Sequence, residues 1–181
     1  MPGSRHIGAF GHSSWITLSA TSHHKRSERN KMTTTTSKAE VLTLSLSRTI
    51  KAPVELVYRG WTEPEQMSMW LGCDKTATVK VTQDLRVGGE YRFDVSCSDG
   101  EQVCMSGVYQ KIEPNQKLVY TWNNTSREYP ASDTLVTVEF IAKGDSTELK
   151  LTHANLNDAN CLHGHTLGWT ASLEKFVAHF A

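Results

Sequence analysis

No uncharged apolar run in this 181-residue chain approaches the ~20 residues that a helix needs to span a bilayer. There is no basic excess either, since 19 Lys and Arg balance 19 Asp and Glu. The balance is uneven along the chain. Residues 1–31 carry Arg5, Lys25, Arg26, Arg29 and Lys31 against Glu28 alone, which leaves 14 basic and 18 acidic residues beyond them, a net of −4. Phosphate neutralisation by clustered Lys and Arg dominates nucleic-acid affinity, so a domain of this charge is a poor nucleic-acid binder. Neither nucleic acid nor a membrane span is expected among its partners.

Cysteine is sparse. Cys73, Cys97, Cys104 and Cys161 form no C-x-x-C pair, so a disulfide framework, a zinc ribbon and a thioredoxin-type site all lack their signatures. Such usage fits a reducing, cytoplasmic setting. Ser98-Asp99-Gly100-Glu101 reads as a turn. With Asp99-Gly100 as a two-residue loop, Cys97 faces Gln102 and Cys104 is only a diagonal neighbour, a poor disulfide geometry. Free buried thiols are the expectation. The chain also lacks G-x-S-x-G, G-x-x-x-x-G-K-[ST] and H-E-x-x-H. Gly88-Gly89 is read as a turn between strands, because no helix N-terminus follows it to hold a phosphate.

Residues 1–37 are rich in Ser, Thr and His, with Phe10, Trp15, Ile16 and Leu18 too broken up for a secretory apolar core. Three readings of this tail stay open. Its Arg, Ser and Thr content resembles an organelle import signal, a natural disordered extension shows the same polarity, and Met32-Thr33-Thr34-Thr35-Thr36 reads like a fresh start. The paired His23-His24 is read as solvated. A tail over 1–40 and one folded domain over 41–181 are the expected organisation.

What is present is periodic. Leu42, Leu44, Leu46 and Ile50 alternate with polar residues, a half-buried strand. After Pro53, Val54, Val57, Tyr58 and Trp61 share one face of a short helix. Thr62-Glu63-Pro64-Glu65 reads as a capping box opening a second helix whose apolar face is Met67, Trp70 and Leu71. Alternation then returns around Val79 and Val81, at Tyr91, Phe93 and Val95, over Val103–Ile112, at Leu118, Tyr120 and Trp122, at Val136, Val138 and Phe140, and at Leu149, Leu151 and His153. Six strands joined by short turns predict an antiparallel meander. Leu162, Trp169, Leu173, Phe176, Val177 and Phe180 then form one helical stripe that must be buried. The predicted class is α+β: a curved antiparallel sheet of about seven strands, two short helices after the first strand, and a long C-terminal helix on the concave face. A sheet wrapped around one helix encloses space, which makes a cavity there the natural ligand site.

Specific residues add to this order. Ala52-Pro53-Val54-Glu55, Trp61-Thr62-Glu63-Pro64-Glu65-Gln66-Met67 with Trp70, Asp84-Leu85-Arg86-Val87-Gly88-Gly89-Glu90-Tyr91-Arg92-Phe93, Gly107-Val108-Tyr109-Gln110-Lys111-Ile112-Glu113-Pro114, Leu118-Val119-Tyr120-Thr121-Trp122 and Gly168-Trp169 stand in one sequence. Over residues 41–181 the chain resembles the helix-grip (START-like, SRPBCC) superfamily, and within it the group related to the C-terminal domain of the activator of heat-shock protein 90 ATPase. The resemblance implies the helix-grip fold. It also implies one of several roles: binding a small apolar ligand, regulating a chaperone or another protein partner in a stress response, or cyclase- or hydrolase-type chemistry in the same cavity. The co-chaperone itself is matched only by its C-terminal half, and its separate chaperone-contacting domain has no counterpart in 40 polar residues.

The aromatics carry the binding reading. The candidate ligand-binding residues are Trp70, Tyr91, Phe93, Tyr109, Tyr120, Trp122, His153, Trp169, Leu173 and Phe176, with Trp61 assigned to the core. Tyr109 and Tyr120 offer a hydroxyl to a ligand or to a backbone carbonyl. His153, His163 and His165 are the residues that could form a metal or acid–base cluster, with the latter two expected before the long helix. Their i, i+2 spacing puts no two ligands on one helical face, no carboxylate is placed to orient a ring, and Asp158 is better suited to cap the helix. Glu139 and Asp94 alternate outward, away from any cavity. No catalytic residue, metal or cofactor is expected.

Overall fold

The computed structural model describes residues 42–73 and 75–181; the tail over 1–40, its His23-His24 pair and the boundary at residue 41 lie outside the described residues. The chain runs β1 (Leu42–Ile50), α1 (Val54–Thr62), α2 (Pro64–Trp70), β2 (Thr76–Gln83), β3 (Glu90–Cys97), β4 (Gln102–Glu113), β5 (Lys117–Asn124), β6 (Ala131–Lys143), β7 (Ser146–Leu156) and α3 (Ala159–His179). The seven strands form one antiparallel sheet in the order β1-β7-β6-β5-β4-β3-β2. Strands β2 to β7 are a meander, and β1 joins it beyond β7. The helix-grip architecture expected from the alternation and from the final stripe is the one present, with α3 packed against the sheet.

The two short helices are separate because of one proline. Pro64 restricts the residue before it to extended backbone, and Glu63 sits at φ −88, ψ 124. Glu63 is therefore the residue that precedes α2, with Pro64 in its first position and no side-chain cap. This corrects the capping box. Thr62 ends α1 instead, where its hydroxyl donates to the Tyr58 carbonyl at 2.8 Å. The Glu63 carboxylate turns back to Arg59 at 2.7 Å.

The hairpin between β3 and β4 differs from expectation by one residue. Gly100, at φ +88, lets a three-residue turn close between Cys97 and Glu101, whose carbonyl accepts the Cys97 N–H at 2.8 Å. Gln102 thus faces Ser96, and Cys104 faces Asp94. All four cysteines are free thiols; Cys161 is buried and the other three are half-buried.

The helix α3 also begins earlier than the stripe suggested. The Asp158 carboxylate accepts the Cys161 N–H at 2.7 Å and caps the N-terminus. His163 and His165 consequently lie inside the helix rather than before it. His163 is exposed while His165 is buried.

Strand alternation puts Tyr91, Phe93 and Val95, then Leu118, Tyr120 and Trp122, then Val136, Val138 and Phe140, on the buried face. Fully buried aliphatics such as Ile50, Leu149 and Leu151 contribute roughly 1.5–3 kcal/mol each. The aromatics form two groups. Trp61, Trp70 and Phe176 pack at the helical end with ring centroids 4.4–5.2 Å apart. Tyr91, Phe93, Tyr109 and Tyr120 line the sheet. Trp169 joins the groups, 6.2 Å from Trp61 and 4.9 Å from Trp122.

Candidate ligand-binding cleft

A half-open cleft of about 610 Å³ lies between the first half of α3, strands β3 to β5 and the segment after α2. Its apolar wall is Leu71, Val95, Val103, Met105, Trp122 and Trp169. The loop between β5 and β6 covers one side through Ser126, Glu128 and Tyr129. That loop is tied to α3, since Asn160 Nδ2 donates to the Glu128 carbonyl at 2.8 Å. The Tyr129 ring lies directly on Gly164: a methyl group added there would fall 2.0 Å from the ring. One turn along the same helix, a methyl group on Gly168 would meet nothing within 4 Å. The space over Gly168 is part of the cleft.

At the floor of the cleft is a buried polar cluster whose protons the partners dictate. An indole N–H only donates and a carbonyl only accepts. Trp122 Nε1 donates to His165 Nε2 at 3.2 Å, and His165 Nδ1 faces the Cys161 carbonyl at 2.8 Å. His165 is thus neutral with its proton on Nδ1. Trp169 Nε1 donates to His153 Nδ1 at 3.0 Å, and His153 Nε2 meets Thr134 Oγ1 at 2.8 Å. Thr134 in turn donates to the Trp122 carbonyl at 2.7 Å. His153 therefore carries its proton on Nε2, the opposite tautomer. The two rings stand edge to face, 5.0 Å apart.

Charging either ring would point an imidazolium N–H at an indole N–H. Burial, and then the neighbouring His165, push the His153 pKa from 6.5 down to about 3. Burial also lowers His165, although its bond to the Cys161 carbonyl acts the other way. These rings are acceptors held in place, with both nitrogens engaged.

Of the candidate residues, Trp122 and Trp169 line the cleft. The structure places Trp70, Leu173 and Phe176 in the closed helical end, and Tyr91, Phe93, Tyr109 and Tyr120 within the packed sheet face. His153 is fully buried below the cleft floor. The Tyr109 hydroxyl donates to Gln83 Oε1 at 2.5 Å, and Gln83 Nε2 donates to the Thr62 carbonyl. Tyr91 donates to the Thr121 carbonyl at 2.6 Å. Burial raises Tyr91, Tyr109 and Tyr120 well above the usual phenol range.

Sequence reasoning missed the lining that periodicity does not mark: Gly168, Gly164, Tyr129, Asn124 and Glu101. The usable signal was Gly164 and Gly168, four apart in a helix, where glycine costs about 1 kcal/mol against alanine.

Asp94 pairs with Arg92 at 2.6 Å and Glu139 with Lys117 at 2.8 Å, both on the outer face. Burial pushes the Cys97 and Cys161 thiols up, away from the reactive thiolate. Among the described residues no three His, Cys, Asp or Glu side chains gather as a metal site. No helix of the described residues is long and apolar enough to cross a membrane.

Comparison with known proteins agrees with this architecture. Residues 51–181 match the family described as "Activator of Hsp90 ATPase homolog 1-like protein". A solved structure from Chromobacterium violaceum is similar at 27% identity and a TM-score of 0.69, covering 76% of this chain and 96% of its own. One from Rhizobium leguminosarum has 27% identity and a TM-score of 0.67, covering 78% of this chain and 95% of its own. CalU16 from Micromonospora echinospora has 25% identity and a TM-score of 0.57, covering 76% of this chain and 74% of its own. No curated protein matches the sequence.

Proposed function

The chain belongs to the Activator of Hsp90 ATPase homolog 1-like protein family, and from that premise we propose that it binds a small apolar or amphipathic molecule in the cleft. Family and fold support a ligand-binding or regulatory domain at the coarse level. The finer reading rests on one observation. A well of about 610 Å³, within the range that small-molecule sites occupy, stands open over Gly168 with two indoles in its wall. Both indole N–H groups are already satisfied by histidines below, so the rings present aromatic surface rather than unmet donors. The ring nitrogens of His153 and His165 are all engaged within the protein, so neither histidine is committed to a group in the cleft. On this reading the unit over 41–181 is the ligand-binding domain.

Native mass spectrometry of the full chain, purified without denaturant and then denatured, tests it. The expected result is a mass excess that denaturation removes, with Trp122 and Trp169 emission changing when the same molecule is added back. A bare mass, together with unchanged emission across a panel of small apolar compounds, would remove the reading and turn attention to protein partners.

A further inference from the structure

We propose that the cleft selects a lipophilic cation, a protonated amine or quaternary ammonium on an apolar body; the proposal rests on the binding reading above and names its ligand class. The charges that line the cleft are Glu101, Glu128 and Glu174 against Lys75 alone. Their ion-pair partners just outside, Arg127 with Glu101 and Asp99 with Lys75, carry opposite charges and leave the balance at two negative. Lys175 is a further cation next to the lining and brings the balance to one negative. Its ammonium is turned onto the Gly72 and Cys73 carbonyls at 3.2 and 3.0 Å, and the residue does not line the cleft.

The floor adds no positive charge. His165 is neutral, and its Nε2 is an acceptor shared by Trp122 Nε1 at 3.2 Å and Asn124 Nδ2 at 3.4 Å. A carboxylate ligand would meet Lys75, itself paired with Asp99, and would face three carboxylates. A cation would find those three carboxylates against the one lysine. Glu101, only 18% exposed at its side chain, is partly shielded from solvent, where a charge contact counts for more than at the open surface. Trp122, Trp169 and Tyr129 put aromatic rings in the cleft wall, a residue type that attracts a cation as well as an apolar body. The apolar part of the ligand lies over Gly168 against Trp122 and Met105, with its ammonium toward the carboxylates at the mouth. The Tyr129 ring seated on Gly164 shows how closely an aromatic group approaches this helix.

The test compares three molecules with one body: phenylbutylamine, phenylbutanol and phenylbutanoate, titrated into the full chain at neutral pH by calorimetry and tryptophan emission. The expected order is amine, then alcohol, then acid, with about a tenfold gap between amine and acid at low salt that narrows as salt is raised. Glu101→Gln keeps the oxygen that accepts the Arg127 N–H at 2.9 Å. It should weaken the amine about threefold and leave the alcohol unchanged; Glu174→Gln should do the same to a smaller degree. An acid that binds as well as the amine overturns the ligand class while the cleft stands. Equal losses for amine and alcohol in Glu101→Gln remove the carboxylates as the source of selectivity. Binding of none of the three overturns the class and the binding reading together.

Discussion

The two halves of α3 are built from the same kind of sequence and end in opposite states. The second half is closed: Leu173 and Phe176 are fully buried, and Gly60 of α1 sits so near that an added methyl group would fall 2.8 Å from Phe180 and 3.1 Å from Phe176. The first half is open: Gly168 faces empty space, and Leu167 beside it is 54% exposed. What differs is whether the opposing element supplies a side chain to fill the gap. At the closed end α1 and α2 do so with Trp61 and Trp70. At the open end Trp122 and Asn124 reach His165 and Tyr129 stops at Gly164, while nothing described covers Gly168. A core residue and a cleft-lining residue are thus separated by one or two helical turns.

The largest test of that contrast is at the closed end. Phe176→Ala should cost about 3–5 kcal/mol in urea unfolding, because α1 and α2 cannot collapse into the space. Truncations of similar size that cost little there would erase the distinction.

Next in size is acid sensitivity of the cluster beneath the open end. An unfolded imidazole titrates near 6.5, while His153 in the fold is held at about 3. The unfolded chain therefore binds more protons between those values. Stability is full above about pH 6.5 and falls as pH drops toward 3, by about 2 kcal/mol at pH 5. His165, shifted the same way, adds to the loss. His153→Gln retains one donor and one acceptor, and should flatten the slope of the denaturation midpoint against pH.

Two glycine substitutions give the finest comparison. Gly60→Ala should lose about 1–2 kcal/mol through crowding against the Phe176 and Phe180 rings. Gly168→Ala should gain about 0.5–1 kcal/mol, since helix propensity improves and nothing is struck, while weakening any ligand that rests on that helix. The same sign in both thermal melts would mean that the halves are packed alike.

The fold was legible because alternation is hard to mistake where one face is dry. Tyr91, Phe93 and Val95, or Val136, Val138 and Phe140, repeat with period two and are buried as that period requires. Boundaries were less legible where one residue outranks a motif. Pro64 decides the break between the helices against a well-formed Thr-x-x-Glu, and Gly100 lengthens a turn by one residue and shifts the pairing of Cys97. The cleft was the least legible part. Reading aromatics as wall residues found Trp122 and Trp169, but hydrophobicity ranks Trp70 and Phe176 just as high. A cavity is defined by what does not arrive. Only the spacing of Gly164 and Gly168 in a helix carries that information along the chain.

The strand order has a consequence for a chain made from its N-terminus. Strand β1 is the first described element to emerge, yet its one partner among the described strands is β7, with Ile50 opposite Thr147 and Leu42 opposite Leu156. At about 5–20 residues per second, the ribosome takes on the order of 5–20 s to deliver that partner. Throughout that interval an alternating strand with Leu42, Leu44, Leu46 and Ile50 on one side waits with both edges bare. The meander from β2 onward needs no such delay, since each strand pairs with the one just made. The described sheet can therefore pair from β2 onward as it is made, whereas its β1 border closes only once β7 has arrived, with α3 following.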